Sequence, residues 1–280
     1  MRFVSTALDH SDMASLDCER FKRLLHRLNR HDDTRCDRTF CGVTRITHRL
    51  YYPKYNFKTA LKGKGALAAH APRDTATRSK RKDGRSHGRC VDRELARVTK
   101  AYNRFVRSSA ATRRACKTLP CFREFVRGER KATSDTARRL IAHLDGLGLV
   151  PIDAQVRVLD RTERVRTCVD LVCARKRRVD SLVLVEVKCG FEGYVSLASG
   201  RMQFELRGVP DSPRNQHHLQ LALTRELYAR TYQDQPEAIV VWITDTTAHH
   251  ERVEPWAVRH APDVLKRIRR KRSGASGERA

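Results

Sequence analysis

The second half of the sequence predicts an α/β domain in which helices flank a central mixed sheet. Before Pro151, apolar residues recur every three or four positions, as they do in amphipathic helices. After Pro151, short Val- and Leu-rich runs indicate strands, and one further helical pattern separates the third run from the fourth. The order helix, three strands, helix, strand is typical of this class. The predicted strands cover residues 154–159, 165–174, 181–189 and 238–244.

The helices are predicted from their apolar stripes and from the residues at their ends. The first runs from about Cys90 to Val106, and its stripe consists of Val91, Leu95, Val98, Tyr102 and Phe105. The second covers residues 134–147 and ends at a glycine, and the third covers residues 214–232. A further helix is expected at residues 11–30. Residues 31–50 are polar, and we predict that they are irregular.

Composition divides the chain into three regions. Residues 1–85 form a basic extension that ends in a polar linker, residues 86–262 form the α/β domain, and residues 263–280 form a basic tail. The tail contains KRIRRKR, Lys266–Arg272, in which six of the seven residues are cationic. We predict that it is exposed and disordered, and that it binds nucleic acid or acts as a nuclear import signal. The alternative is a tail that only increases solubility.

The charge of the chain is strongly positive. Its 58 Lys and Arg residues against 32 Asp and Glu residues give a formal net charge of +26 at pH 7. Such an excess attracts polyanions, so nucleic acid is the expected partner and an anionic membrane is the alternative. No run approaches the roughly 18 apolar residues of a membrane span, and the first residues lack a signal-peptide core. We expect a soluble, intracellular protein, nuclear in a eukaryotic host and otherwise cytoplasmic; the sequence does not specify an oligomeric state.

Two segments are candidate contacts with nucleic acid. The stretch Tyr51–Gly65 interleaves four aromatic residues with four lysines, a pattern that suits stacking on bases and contacts with phosphates. The alternative is that these aromatic residues form the core of a small subdomain. The second segment is the basic turn predicted between the second and third strands. The candidate residues are Tyr55, Lys58, Lys62, Lys64, Arg175, Lys176, Arg177 and Arg178.

The cysteines and paired histidines give weaker signals. Nine cysteines, an odd number in a long chain, do not indicate a disulfide framework, and we interpret them as reduced thiols. A zinc knuckle formed by Cys36, Cys41 and either His31 or His48 is the alternative. The neighbouring His217 and His218 would point to different faces of a helix, so we expect them at the surface.

The strongest chemical signal lies in the hairpin predicted from Val165 to Lys188. If its turn centres near Arg178, antiparallel pairing sets Val172 opposite Leu184 and Asp170 opposite Glu186. Lys188 follows Glu186 by two residues and therefore shares its face of the strand. The other face carries apolar residues that belong in the core. The hairpin thus presents two carboxylates and an ammonium group together.

Two adjacent carboxylates raise each other's pKa unless a cation lies between them. A hard divalent ion meets this need, and Mg²⁺ accepts one or two carboxylates while keeping bound waters. Such an ion can activate water and stabilise charge on a phosphate oxygen, while Lys188 stabilises the developing anion. These features outline a site for phosphodiester hydrolysis. The alternative is a cross-strand salt-bridge trio on an exposed face of the sheet.

The order of these motifs resembles the PD-(D/E)xK nuclease superfamily, particularly its RecB-like and lambda-exonuclease-like branch. An upstream helix carries GRCVDREL, the second predicted strand carries Asp170, the third carries EVK, and the following helix carries NQHHLQLALTREL. The last motif is also similar to proteins of large DNA viruses. The matching residues are Glu94 (or Asp92), Asp170, Glu186, Lys188 and Gln220, with Gln216 as a neighbour that supports Gln220.

The resemblance implies a restriction-endonuclease-like core and Mg²⁺-dependent, exonuclease-like hydrolysis of DNA in replication, recombination or repair, with Mn²⁺ as a substitute. It implies Glu94, Asp170 and Glu186 as metal ligands, and Lys188 and Gln220 as further catalytic residues. RNA is an alternative substrate, because the hydrolytic chemistry is the same. A catalytically inactive nucleic-acid-binding protein that retains the fold is the alternative function.

The sequence departs from the family pattern at three positions. Val169 precedes Asp170 where many relatives have Pro, Asp92 stands where relatives often have His, and Thr224 stands where many have Tyr. These departures leave open which carboxylate of the first helix serves as a ligand. Some relatives hold an iron–sulfur cluster with cysteines beyond the last helix. No cysteine follows Cys189, so we expect no cluster.

Overall fold

The computed structural model describes residues 41–52, 88–104, 134–161, 164–176, 178–189, 198–244 and 246–277. These residues form strands, helices and one short 3₁₀ helix, Phe204–Leu206. In chain order the elements are β1 (Cys41–Gly42), α1 (Val43–Leu50), α2 (88–104), α3 (Asp135–Gly146), β2 (Leu149–Asp160), β3 (Val165–Arg175), β4 (Arg178–Cys189), α4 (Pro213–Tyr232), β5 (Glu237–Ile243), β6 (Ala248–Arg252) and α5 (Pro255–Gly277).

The described strands form one mixed sheet of six strands. The pairs β2–β3, β3–β4 and β5–β6 are antiparallel, whereas β4–β5 and the short pair β1–β3 are parallel. All four strands predicted from the sequence are present as β2 to β5, and the helices predicted from 134 and from 214 are present as α3 and α4. The predicted α/β class, with a mixed sheet flanked by helices, is therefore confirmed.

Strand β3 changes its partner along one edge. Strand β2 occupies the whole of the other edge, because its pairing runs from Leu149 opposite Arg175 to Asp160 opposite Val165. Strands β4 and β1 must therefore share the remaining edge. Strand β4 pairs with β3 from Leu171 onward, and β1 pairs with its first two residues. The stretch 167–170 lies between these two partners, and the sheet is open there.

The core lies on both faces of the central strands. Val169, Leu171 and Val185 point to one face and are fully buried, and Val172 and Leu184 point to the other and are also fully buried. Helix α4 packs against β2 and β5, and the hydroxyl groups of Thr224 and Thr167 lie 2.9 Å apart across its contact with β3. Burial on both faces explains why these strands read as continuous apolar runs in the sequence.

Helix α4 has a recognisable capping residue at each end. The Ser212 hydroxyl accepts a hydrogen bond from the Asn215 backbone N–H at 3.3 Å, and a proline occupies the first turn. Gln233 follows the helix in the left-handed conformation with φ +53°. These ends set the bounds of α4, and its packing against β2 and β5 turns Gln220 towards Glu186.

The prediction that residues 31–50 are irregular is wrong for its last eight positions, which form α1. Val43, Thr47 and Tyr51 follow each other at intervals of four, and all three side chains are at most 1% exposed. The sequence did not indicate this stripe, because Val43 is its one aliphatic residue and Thr47 and Tyr51 carry polar groups. The core interpretation holds for Tyr51 and Tyr52, which are buried; the rest of the aromatic and lysine-rich segment lies outside the described residues.

The prediction of a disordered tail is wrong through Gly277, because α5 continues to that residue. Val264, Leu265 and Ile268 are fully buried and continue a stripe that begins at Ala257 and Ala261. KRIRRKR therefore contains one apolar anchor, Ile268, in an amphipathic helix. No helix within the described ranges is both long enough and apolar enough to span a bilayer.

An ion-pair cluster ties the basic part of α5 to the domain. Arg267 Nε donates to Glu205 Oε2 at 2.8 Å, and the guanidinium carbon lies 4.3 Å from the centroid of the Phe204 ring. The Tyr51 hydroxyl donates to the second oxygen of Glu205 at 2.6 Å. Burial raises the pKa of Tyr51, and the Glu205 carboxylate raises it further. The cluster joins α1, the 3₁₀ helix and α5.

Candidate functional site

The candidate site lies where β3 separates from β4. The predicted pairing of Val172 with Leu184 is confirmed, but the ladder ends with Leu171 opposite Val185, so the predicted pair of Asp170 with Glu186 is not part of it. Beyond the end of the ladder a cleft of about 530 Å³ opens between the two strands and the start of α1. Its lining includes Thr44, Arg157, Arg166, Asp170, Glu186 and Gln220.

Asp170 is the first residue of β3 beyond the ladder, and its carboxylate takes over a backbone contact there. Its Oδ2 accepts a hydrogen bond from the Val187 backbone N–H at 2.8 Å. Its Oδ1 accepts from Gln155 Nε2 at 3.2 Å. Both oxygens are therefore held in position by neighbouring strands, one on each edge of β3.

Glu186 is almost fully buried, with 3% of its surface exposed. Its Oε1 accepts hydrogen bonds from Lys188 Nζ at 2.5 Å and from Gln220 Nε2 at 3.1 Å. The structure thus brings together four of the predicted site residues: Asp170, Glu186, Lys188 and Gln220. Lys188 shares a strand face with Glu186 as the two-residue spacing predicts, and Gln220 approaches from α4.

Burial and repulsion between neighbouring carboxylates dominate the electrostatics around Asp170, Glu186 and Asp92. Burial raises the pKa of Glu186, and the negative charge of Asp170 raises it further. Burial and then Asp170 also raise the pKa of Asp92 to about 6. Burial alone would lower the pKa of Lys188, but the charges of Glu186 and Asp170 outweigh it and hold the pKa above its usual value. Lys188 contacts Glu186 directly, and the exposed Arg157 and Arg166 also line the cleft.

The carboxylate that α2 contributes to this field is Asp92, and Glu94 points elsewhere. Glu94 Oε2 accepts hydrogen bonds from the Ser134 backbone N–H at 2.9 Å and from the Ser134 hydroxyl at 2.6 Å. Residues two apart on a helix point to opposite sides, so Asp92 can turn towards Asp170 while Glu94 faces α3. The assignment of Glu94 to the site is therefore not supported by its contacts, and its alternative, Asp92, takes that place.

The donor set suits Mg²⁺ with few protein ligands. Within the described residues, no three His, Cys, Asp or Glu side chains are grouped closely enough to hold a metal ion by themselves. Mg²⁺ does not need such a cage, because it binds through one or two carboxylates and retains water. The excess negative charge around Asp170 and Glu186 is the feature that a divalent cation would neutralise.

Sequence reasoning missed two polar neighbours of Asp170. Gln155 of β2 donates to Asp170, and the Cys168 thiol donates to Gln155 Oε1 at 3.4 Å. Gln155 has φ +56°, next to the irregularity of β2 between Pro151 and Asp153. No local signal marks that bulge, so the sequence does not reveal this register. Gln216, the proposed support for Gln220, instead donates to Asp211 Oδ1 at 2.8 Å.

The structure describes three of the eight predicted nucleic-acid contacts. Tyr55, Lys58, Lys62, Lys64 and Arg177 lie outside the described residues. Arg175 and Lys176 form ion pairs of 2.6 Å with Glu237 and Asp145, respectively, and Arg178 is the first residue of β4. The turn between β3 and β4 is also at the far end of the hairpin from Glu186. These contacts give Arg175 and Lys176 a structural role.

The expectation that His217 and His218 lie at the surface is wrong for His218, which is fully buried. Its Nδ1 accepts from the Glu254 backbone N–H at 3.3 Å, so its Nε2 carries the proton and donates to Glu251 Oε2 at 2.9 Å. Burial lowers the pKa of His218. The ring joins α4 to β6 and to the start of α5, away from the cleft.

Comparisons with known proteins give little further information. No protein-family model matches the chain, and no curated protein matches it. One solved structure, described as "Crystal structure of SSO0001", is similar over 88% of this chain and 85% of its own, with 13% identity and a TM-score of 0.27. A similarity this weak carries no argument about fold or function.

The raised pKa of Asp92 predicts a pH-dependent effect of Asp92→Asn on stability. An ordinary aspartate titrates near 3.8, whereas Asp92 titrates at about 6 in the folded state. The folded state therefore binds more protons between these values, and its stability falls as the pH rises through that window. At pH 8, we expect Asp92→Asn to stabilise the fold by on the order of 1 kcal/mol, after allowance for solvent screening, and to raise the melting temperature accordingly.

Below pH 4 the same substitution should have little effect, because the parent carboxyl is then protonated in both states. The matched control is Glu94→Ala, which removes the acceptor for Ser134 and should destabilise the fold at both pH values, by about 1 kcal/mol. Thermal unfolding monitored by circular dichroism measures both variants. Equal melting temperatures for Asp92→Asn and the parent at pH 8 would contradict the placement of Asp92.

Proposed function

We propose that this chain is a Mg²⁺-dependent nuclease that hydrolyses phosphodiester bonds of DNA, with exonuclease-like action in replication, recombination or repair. The observation that carries the proposal is the meeting of Asp170, Glu186 and Lys188 at one opening of the sheet. The net charge of +26 supports a polyanionic substrate.

In this proposal Asp170 and Glu186 hold the Mg²⁺, and Asp92 adds a third negative charge from α2. Bound Mg²⁺ lowers the pKa of a coordinated water and stabilises negative charge on a phosphate oxygen. Mn²⁺ would substitute, since it also prefers oxygen ligands. Glu94 is not included, because its carboxylate is bonded to Ser134.

The remaining residues keep this arrangement in position. The Val187 backbone N–H and Gln155 fix both oxygens of Asp170, and Gln220 fixes one oxygen of Glu186. Lys188 stays protonated at neutral pH because its acidic neighbours raise its pKa. Its charge can stabilise the anion that develops on the phosphate during hydrolysis. Groups held in this way need little rearrangement when the substrate arrives.

The finer assignments belong to the same proposal. The α/β core would be restriction-endonuclease-like and related to the PD-(D/E)xK superfamily, as the motifs in the sequence indicate. The basic extension, residues 1–85, would supply affinity for DNA through many dispersed cationic contacts. Localisation in the nucleus of a eukaryotic host, or in the cytoplasm otherwise, would follow from this substrate.

One observation favours a second candidate, a nucleic-acid-binding protein without activity. Lys188 and Glu186 already form a 2.5 Å ion pair, and the described residues contain no three-ligand metal group. An ion pair between Lys188 and Glu186 can serve only to stabilise the sheet, without any catalytic role. Against it stands the repulsion among Asp170, Glu186 and Asp92, which raises the pKa of Glu186 and of Asp92 although Lys188 lies close by.

The two candidates differ in a direct assay of the purified full-length chain. We expect end-labelled single- or double-stranded DNA to be cleaved with Mg²⁺ or Mn²⁺ and to stay intact in EDTA. Release of short products from an end, with circular DNA left intact, would indicate exonuclease action. A matched RNA strand tests the alternative substrate. Binding without cleavage under all conditions would favour the inactive protein.

A further inference from the structure

A second cleft lies beside the candidate site, on the other side of the contact between Gln155 and Asp170. It has a volume of about 540 Å³ and is lined by Gln155 and by one face of α2. Asp170 lines the first cleft and Gln155 lines the second, and the two side chains share a hydrogen bond. The two clefts therefore meet at the contact between Gln155 and Asp170, and the proposed reaction centre lies on the first-cleft side of that contact.

Each cleft carries a pair of exposed arginines. In the second cleft they are Arg89 and Arg93 of α2, which lie one turn apart, with Asp92 on the same helix face. In the first cleft they are Arg157 of β2 and Arg166 of β3. The acidic residues of the site are thus flanked by cationic side chains on both sides.

The register of β2 and β3 places the first pair in a row with Asp170. Arg157 lies opposite Cys168, and Arg166 lies two residues before Cys168 on the same face of β3. Successive side chains on one face are about 7 Å apart along a strand. Arg157 is therefore about one such step from Asp170, and Arg166 about two. This row continues across Gln155 towards α2.

The size and depth of the clefts limit what they can hold. Each has the volume of a site for a small molecule, in the range of roughly 300 to 1,000 Å³. The carboxylate of Glu186 lies at the bottom of the first cleft with 3% of the residue exposed. A duplex presents two joined backbones and is much wider, whereas an extended single strand can place one nucleotide in each cleft.

We propose that the two clefts form a path for a single DNA strand, with Arg157 and Arg166 binding phosphate on one side of the scissile bond and Arg89 and Arg93 on the other. This rests on the proposed nuclease function, whose centre lies in the first cleft next to its junction with the second. Guanidinium groups bind phosphate oxygens in pairs of hydrogen bonds, which makes arginine suited to this role. The path assigns the substrate as single-stranded DNA or an unpaired end.

The test measures binding of the full-length protein in EDTA, so that cleavage does not interfere. The probes are a labelled oligothymidine and a duplex of equal length closed by a hairpin at each end. The variants are Arg157→Gln in the first cleft, Arg93→Gln in the second, and their combination. The matched control is Arg259→Gln, an exposed arginine of α5 that lines neither cleft.

We expect each cleft variant to bind the oligothymidine about threefold to tenfold more weakly than the parent, and the combined variant to bind it more weakly than either. The slope of log affinity against log salt should fall by about 0.7 for each phosphate that is no longer neutralised. The control and the closed duplex should show much smaller changes. Cleft variants that bind the oligothymidine as the control does, or whose affinity for the duplex falls equally, would overturn the path.

Cleavage by the parent separates this proposal from the proposed function. If the parent cleaves DNA in Mg²⁺ while the cleft variants bind like the control, the path is wrong and the nuclease stands. If the cleft variants lose single-strand binding selectively and the parent never cleaves, the nuclease fails and the path remains as a binding groove.

Discussion

Asp170→Asn is expected to abolish metal-dependent cleavage while DNA binding stays nearly unchanged. The substitution keeps the size of the side chain and leaves an oxygen that can accept from the Val187 backbone N–H or from Gln155. It removes the negative charge that would hold the metal ion, and the bound water would then lose its activation. Binding in EDTA should be equal or slightly tighter, because a carboxylate repels phosphate.

Lys188→Ala tests the cationic group of the same centre, and we expect it to slow cleavage strongly while DNA binding changes little. It removes one of 58 basic residues, so its effect on overall affinity should be small. It also removes a charge placed within the cleft, and the loss of one such preorganised group costs on the order of 100-fold to 1,000-fold in rate. Gln220 would remain as a hydrogen-bond donor to Glu186.

The measurement is a paired assay, with cleavage rates in Mg²⁺ and binding in EDTA at fixed salt. Glu94→Gln is the matched acidic control, because its carboxylate bonds to Ser134 and not to the cleft. It should cleave at the rate of the parent. Variants of Asp170 and Lys188 that cleave as fast as the parent would disprove the catalytic assignment, and a parent that never cleaves would leave the inactive binding protein.

Deletion of residues 263–280 is expected to unfold the domain and not merely to remove a basic tail. The deletion removes Val264, Leu265 and Ile268, all fully buried. Burial of one such side chain contributes about 1.5 to 3 kcal/mol, so the three together approach the roughly 5 to 15 kcal/mol by which domains are stable. The truncation also removes Arg267 and its ion pair with Glu205.

The matched control keeps the helix and removes charge. Lys266→Gln combined with Arg270→Gln changes two exposed positions of α5. The free energy of unfolding of this variant should lie within about 0.5 kcal/mol of that of the parent, as it does for most surface substitutions. Urea denaturation followed by circular dichroism measures all three chains. A truncated chain with the midpoint of the parent would show that α5 does not stabilise the domain.

The fold could be predicted where the apolar residues of a segment followed one clear pattern along the sequence. Strands β3 and β4 are long apolar runs, and a single antiparallel register buries them, so Val172 opposite Leu184 followed from the pattern. The helix α1 was missed because its buried stripe includes Thr47 and continues to Tyr51 just after its end, and such side chains are not reliable signs of a core. The end of α5 was missed because six cations surround one buried isoleucine.

The site was predictable to the extent that it is local. Asp170, Glu186 and Lys188 belong to one hairpin, so their juxtaposition depends on strand alternation and on one turn. Asp92 and Glu94 could not be separated, since both lie on a helix whose rotation depends on packing. Gln155 could not be found at all, because its contact with Asp170 depends on the bulge in β2.

The sequence by itself therefore determined the class of the fold, the pairing of β3 with β4 and the carboxylate–lysine group that this pairing carries. These depend on side-chain periodicity and on residues close in the chain. Only the tertiary structure decided that β1 and β4 share one edge of β3, that the first cleft opens between them, and which face of α2 lines the second cleft beside Gln155. Such features depend on contacts between residues far apart in sequence, and alternation along one strand carries no information about those contacts.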